Sequence, residues 1–380
     1  MIRLVTNQPR DYAWGSTTLI PDYFGLEQSG APMAEIWFGT HPAWPTQLVG
    51  EPNKTLLSLR EQKSLSFLLK ILAAGQPLSL QAHPNAQQAV EGFAAENLLG
   101  IPLDAPNRNY KDDKHKPEML VALTPFDALA GFRPIEESLL LFRTLATDAS
   151  PVLSQAFAAW VPILERGIQE FFVFISGERG RVASITQELA NLELGKYPEH
   201  SAHLQLVTEL QELYPGDPGI IVTLLMNHMH LEPQQALQLS AGQVHAYVRG
   251  LGVEVMANSD NVLRGGLTPK HVDVAELQKV VIFEGAQNPV LSAKQLMTGL
   301  YEYPRLVEDY LLYRVEVSSM NLLADLKLQS EAIFLCTEGE VAVSNSLGER
   351  EVLRKGQAAY LADAKFFSFA GNGTGYLATC

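Results

Sequence analysis

Between about Pro134 and His230 the apolar residues recur at spacings of three and four, whereas on both sides they come in short runs broken by Gly, Pro and Asn. The first pattern is that of helices with one buried face; the second is that of strands separated by turns. "IEESLLLFRTLA", "VLSQAFAAWVPILERGIQEFFVFI", "RVASITQELANLE" and "SAHLQLVTELQELY" are therefore expected helices. Before them "AEIWFGTHP" and "LVALTPFDALAGFRP" read as strands, with one helical patch at "AQQAVEGFAAENLLG". "YPGDPGI", Tyr214 to Ile220, reads as a breaker, and "IIVTLLMNHMHL" after it fits either a helix or a buried strand. Strand texture returns with "QALQLSAGQVHAYVRGLGVEVMANSDNVLRGGLTPK". After a short helical segment near "DVAELQKVVIF" it returns again, from about Tyr313 to Cys380, as short strands with Gly-centred turns. The expected class is mainly β with a helical insertion, ending in a sandwich or jelly roll. The "L-x-x-G-Q" turns at Leu239 to Gln243 and Leu353 to Gln357 hint at two related β units.

The 380 residues carry a formal charge of -14, a field that opposes nucleic acid and anionic membranes, and no dense Lys/Arg run contradicts it. An anionic small molecule would have to be recognised by a few locally placed cations. Cys336 and Cys380 are the only cysteines, too few for a disulfide framework or a thiolate zinc site, so any metal needs N and O ligands. The start "MIRLVTNQPRDYAWGS" lacks the pattern of a signal peptide and no stretch approaches a membrane span, which makes the cytoplasm the default compartment.

The stretch "LSLQAHPNAQQA" carries the first chemistry. Side chains alternate along a strand, so Ser79, Gln81 and His83 would share one face while Leu78, Leu80 and Ala82 take the other. Lys116 and Glu118 in "KHKPEML", and His245 and Tyr247 in "GQVHAYV", repeat that spacing. Gln81, His83, Glu118 and His245 together form a mixed N and O set suited to a borderline cation such as zinc with an open position. The alternative is that both histidines are ordinary half-buried residues and Glu118 a solvated carboxylate. His228 and His230 compete as ligands, but they would diverge on a helix and are read as structural. His41, His200 and His203 are read as structural or surface residues, and His271 as a surface residue. "NSDNVLRGGLTPK" adds Asp260, Arg264 and Lys270 among glycines that let backbone approach a ligand, or else is a polar loop between strands. No GxGxxG, Walker or GxSxG element accompanies it.

The blocks "YAWGS", "AEIWFGTHP", "LSLQAHPN", "HKPEMLVALTPFDALAGFRP", "VHAYVRG" and "SDNVLRGGLTPK" occur in the order in which similar blocks occur in the type I phosphomannose isomerases, zinc enzymes of the cupin fold, and the chain resembles that family. The resemblance implies cupin-type jelly rolls. Residues 1–133 and 231–312 would form a discontinuous catalytic cupin, 134–230 a helical domain, and 313–380 a C-terminal cupin-like β-domain. It implies one Zn2+ per chain on Gln81, His83, Glu118 and His245, and a monomer acting on a sugar phosphate. In two places the chain departs from the family pattern. Ala86 stands where a basic residue often follows "HPN", and "PQQA", Pro233 to Ala236, replaces a turn that commonly reads "PGEA".

The reaction implied is the interconversion of mannose 6-phosphate and fructose 6-phosphate through an enediol or enediolate. A cation stabilises the developing oxyanion, and a general acid/base carries the proton. His115, Lys116, Asp260 and Glu254 are the candidates for proton transfer. Arg264 matches the family's active-site arginine; a guanidinium is a poor proton acceptor, which makes it a charge stabiliser. Ser79, Lys116 and Lys270 match positions at the phosphate end, so Lys116 has two alternative roles. Trp14, Tyr247 and Glu254 are further substrate-binding candidates, Trp14 having a core position as its alternative. Two other readings are a non-catalytic sugar-phosphate-binding cupin and an iron-dependent oxygen-using cupin.

Overall fold

The run "FLLKILAA", Phe67–Ala74, is buried along its whole length, so it must lie between two layers. In the computed structural model, which describes residues 1–380, it pairs antiparallel with His245–Ala257 on one side and Glu35–Phe38 on the other. Phe67, Leu69, Ile71 and Ala73 enter a core shared with Val253, Val255, Ile333, Leu335, Tyr360 and Tyr376. Leu72 and Ala74 enter a second core with Leu120, Ala128 and Tyr247. Lys70 shares that second face and is the strand's single charge.

Ten α-helices accompany two antiparallel sheets, one of nine strands and one of ten. The strand His245–Ala257 organises the nine-stranded sheet. Its first residues pair with Phe126–Phe132 and Gln81, and the rest with Phe67–Ala74 and Glu118–Ala122. The strand turns between these partners at Gly250, φ +126°, where a Cβ would lie 2.6 Å from Phe126 Cδ2. One strand thereby carries both His245 and Glu254 to the same interior.

Helices Ile135–Asp148, Pro151–Leu164, Ile168–Ser176, Ala183–Ala190 and Ser201–Leu213 form where the periodicity predicts them. Phe142, Phe157, Trp160 and Phe171 meet edge to face in their core. That core continues into Leu80, Ala82, Ala246 and Leu263, so the helices back the strands that bear the candidate ligands. The predicted helical patch is the helix Ala86–Leu98, capped by Asn85, and the short one is Val274–Val280.

Several expectations need correction. "IIVTLLMNHMHL" divides into a short helix, Gly219–Thr223, and a strand, Met226–Leu231, so the boundary expected at residue 230 falls inside a strand. Nor does the ten-stranded sheet begin at residue 313: Ile2–Thr6, Gln47–Leu48, Lys294–Met297 and Leu300–Glu302 also belong to it. Distant segments cover its edges, and edge pairing leaves no local pattern. Two C-terminal strands expected to be short, Ala332–Asn345 and Phe366–Thr379, each run 14 residues. In the "PQQA" turn Gln234 adopts φ +74° in place of a glycine, at a cost of about 1 kcal/mol. Tyr303, donating to its carbonyl at 2.8 Å, and Arg314, donating to its side chain, hold it there.

The two "L-x-x-G-Q" turns do share a geometry. Gly242 and Gly356 have φ of 77° and 86°. The Gln243 and Gln357 side chains accept from the Ser240 and Arg354 amides at 3.2 and 2.8 Å. No helix is long and apolar enough to cross a membrane.

Within the helical region His203 Nε2 lies 3.0 Å from Met226 O, and burial pulls its pKa down to about 4. The unfolded chain takes up a proton near pH 6.5 that the native state refuses, so this residue lowers stability as pH falls from about 6.5 to about 4. At pH 7, His203→Gln is expected to be less stable than the parent by about 1 kcal/mol, the value of one hydrogen bond. The difference should shrink at pH 5. Urea unfolding at both pH values checks this, and a constant difference would refute it.

Candidate metal centre and active-site cleft

Strand register brings the candidate ligands together. On the strand Leu80–Ala82, Gln81 lies opposite His245 on one side and opposite Arg264 on the other. His83 follows that strand, and its ring sits 4.9 Å from that of His245, centroid to centroid. His83 Nδ1 is 2.7 Å from Asn261 O, and His245 Nδ1 is 2.9 Å from Gln243 O. A carbonyl accepts only from a protonated nitrogen, so in each neutral ring the Nε2 lone pair is free.

Both Nε2 atoms are buried without a hydrogen-bond partner, and each lies 3.4 Å from the same oxygen, Glu118 Oε2. Burial lowers the His83 pKa to about 4, which keeps its ring neutral. Burial alone would raise the Glu118 carboxyl, but the Lys116 ammonium holds it well below the usual range. An imidazole lone pair facing an ionised carboxylate is repelled by it, and a cation between such donors turns the repulsion into coordination. The donor atoms of His83, Glu118 and His245 lie within 4.8 Å of one another, and their chemistry fits zinc.

A cleft of about 450 Å³ opens beside this cluster. Trp14, Ser79, Gln81, Lys116, Glu118, Tyr247, Glu254, Arg264 and Lys270 all line it. Trp14 stacks on Tyr12 at 5.7 Å, lines the cleft and packs on the core beneath. Lys116 Nζ lies 2.9 Å from Glu118 Oε1, at the metal-centre end. Arg264 loses basicity through burial, and Lys270 chiefly through the nearby Arg264, so two cations converge on the cleft with no carboxylate between them. In a chain of charge -14 this is the local positive site that an anionic ligand requires.

Two candidates for proton transfer do not line the cleft. His115 Nε2 is 2.9 Å from Asp309 Oδ1, a partner that raises its pKa. The half-exposed Asp260 pairs with His41 Nε2 at 3.1 Å, and His41 is itself buried against Trp37. Neither contact is visible in local spacing. His228 and His230 lie on the strand Met226–Leu231 away from the cluster, with His230 bonded to Asp127 at 2.7 Å.

Sequence reasoning missed Lys70 and Glu35, which also line the cleft. Lys70 Nζ stands 2.9 Å from Glu254 Oε2 and 3.4 Å from Glu35 Oε1. Tyr247 donates to Glu254 Oε1 at 2.8 Å, and Trp37 Nε1 donates to Glu35 Oε2 at 2.8 Å. Burial opposes the Lys70 charge, but the flanking carboxylates hold its pKa above the usual lysine value, while burial raises the Glu254 carboxyl. The signal was available: one lysine in an otherwise apolar strand is a charge that must find partners inside.

Two buried imidazoles and a carboxylate beside a cleft that carries unpaired cations define a metalloprotein that binds a small anionic ligand. Residues 1–135 match the model of the type I phosphomannose isomerase catalytic domain. Mannose-6-phosphate isomerase of Escherichia coli (strain K12) is 36% identical over 94% of this chain and 93% of its own length. The Homo sapiens enzyme of that name is 29% identical over 93% of this chain and 91% of its own length. A crystal structure of the Salmonella typhimurium isomerase bound to fructose 6-phosphate and zinc superposes with a TM-score of 0.87 at 32% identity, covering 99% of this chain and 98% of that one. The chain belongs to the type I phosphomannose isomerase family.

Lys70→Met removes the cation between two buried carboxylates, a change that costs 3 to 5 kcal/mol in a dry core. Because the cleft admits water, we expect a loss of about 2 kcal/mol, read by urea denaturation, with the metal content unchanged. Unaltered stability would mean that the carboxylates do not need the ammonium.

Proposed function

We propose that this protein interconverts mannose 6-phosphate and fructose 6-phosphate with one Zn2+ on Gln81, His83, Glu118 and His245. The observation that carries the reading is the pair of buried, unpartnered Nε2 atoms on Glu118 Oε2. They adjoin a cleft into which Arg264 and Lys270 project without carboxylate partners. The bound ion would polarise the sugar oxygens and stabilise negative charge by several kcal/mol. Arg264, Lys270 and Ser79 would hold the phosphate, each charge-assisted bond contributing about 1.5 to 3 kcal/mol. The 2.9 Å contact between Lys116 Nζ and Glu118 Oε1 supports a role for Lys116 at the reacting end rather than the phosphate end.

Glu254, in contact with Lys70 and Tyr247, is the carboxyl best situated to move the proton between C1 and C2, since burial raises its pKa toward the operating range. Trp14 would pack on the sugar. The two sheets support a pair of cupin jelly rolls, with residues 134–230 as the helical insertion and the C-terminal unit extended by the N-terminal strand. A monomer in the cytoplasm remains the reading for assembly and compartment. The retention of every candidate ligand disfavours a non-catalytic binding protein.

The purified protein is expected to convert mannose 6-phosphate to fructose 6-phosphate, to lose activity on chelation and to regain it with zinc. A metal-loaded, folded protein without turnover would refute the isomerase reading. Glu254→Gln should lower kcat about 100-fold with zinc content unchanged. A parent-like kcat would remove Glu254 from proton transfer.

A further inference from the structure

The breaker "YPGDPG" does more than end the helix Ser201–Leu213. Tyr214 lines the cleft, and its hydroxyl donates to Pro77 O at 2.9 Å, just ahead of Ser79 and Gln81. Asp217 is only 4% exposed, and its carboxylate is fully engaged. Its Oδ1 accepts from the Gly219 amide at 2.7 Å and the Leu267 amide at 3.1 Å. Its Oδ2 accepts from the Thr268 amide at 3.3 Å and from Arg179 at 2.8 Å.

The turn it grips does not hold its shape by itself. Gly266 has φ +147°, and Leu267 has φ +53°, a region a branched side chain resists. The two backbones also touch: a Cβ on Gly219 would lie 2.7 Å from Leu267 N, and one on Gly266 would lie 2.7 Å from Gly219 Cα. Arg264 stands just before this turn, and Thr268 and Lys270 stand within it or just after; all three line the cleft.

We infer that Asp217 is a positioning residue for the anionic end of the substrate, holding Gly266–Thr268 so that Arg264, Thr268 and Lys270 converge on the phosphate. The inference rests on the isomerase reading and gives the helical insertion a part in recognition. A carboxylate that merely stabilised the fold would change the melting temperature and leave affinity alone, whereas misplacing a binding turn by a fraction of an ångström weakens affinity.

Asp217→Asn keeps the size of the side chain and one acceptor, but turns the other toward the Thr268 amide as a donor. We expect KM for mannose 6-phosphate to rise about 10-fold and inhibition by inorganic phosphate to weaken by a similar factor, with kcat within about 3-fold of the parent and zinc content unchanged. Gly219→Ala presses the same turn from the other side and should shift both quantities the same way; it carries the test if Asp217→Asn does not fold. Folded variants with the parent's KM and phosphate inhibition would overturn the inference. A parent protein inactive on mannose 6-phosphate would sink the isomerase reading instead. Direct titration of inorganic phosphate into parent and variants would then decide on Asp217, equal affinities overturning its role.

Discussion

Two imidazole lone pairs aimed at one ionised carboxylate oxygen, all out of water, are the demand around which this chain is organised. Atoms so placed drift apart unless the backbone behind them is held, and each of the three is held differently. His83 is fixed through the Asn261 carbonyl, His245 through its own strand and the Gln243 carbonyl, and Glu118 through the ammonium of Lys116. Asn261 is tied in turn, its side chain bonding the Lys111 amide and the carbonyls of Asp112 and Lys114. The cluster's geometry is therefore a property of loops braced against loops as much as of strands.

The same interior tolerates a second row of charges because every member has a partner. Lys70 sits between Glu35 and Glu254, and Tyr247 and Trp37 close the ends. These groups meet because Phe67–Ala74 and His245–Ala257 run antiparallel with Lys70 opposite Glu254. A slip of one residue would send Lys70 into the apolar layer between the sheets and leave two carboxylates facing each other. The register of the central pair is thus enforced by charge as well as by hydrophobic burial.

Local period made the helical block and most strands legible, and strand alternation already put Gln81, His83, Glu118 and His245 in one set. Edge pairing was not legible, since Ile2–Thr6 joins Ala358–Leu361 from the far end of the chain. Spacing was equally silent on which acids face the cleft. His115 and Asp260 stand in suggestive blocks, yet partners contributed by Asp309 and His41 engage them. Residue types name the chemistry a segment can perform; tertiary partners decide whether it is available.

The twin turns extend beyond their shape. The Gly242 amide donates to the carbonyl of His83, and the Gly356 amide donates to that of Cys336, each at 2.8 Å. His245 comes three residues after the first glycine, and Ala359 comes three residues after the second. Cys336 and Ala359, which stand at those offsets from the second turn, are both buried in an apolar core. The same turn thus stands beside a polar cluster in one sheet and beside an apolar core in the other. Repulsion among the donors works against the first setting, while the second contributes cohesion alone. Burial around the second turn supplies cohesion that a cluster of mutually repelling donors cannot.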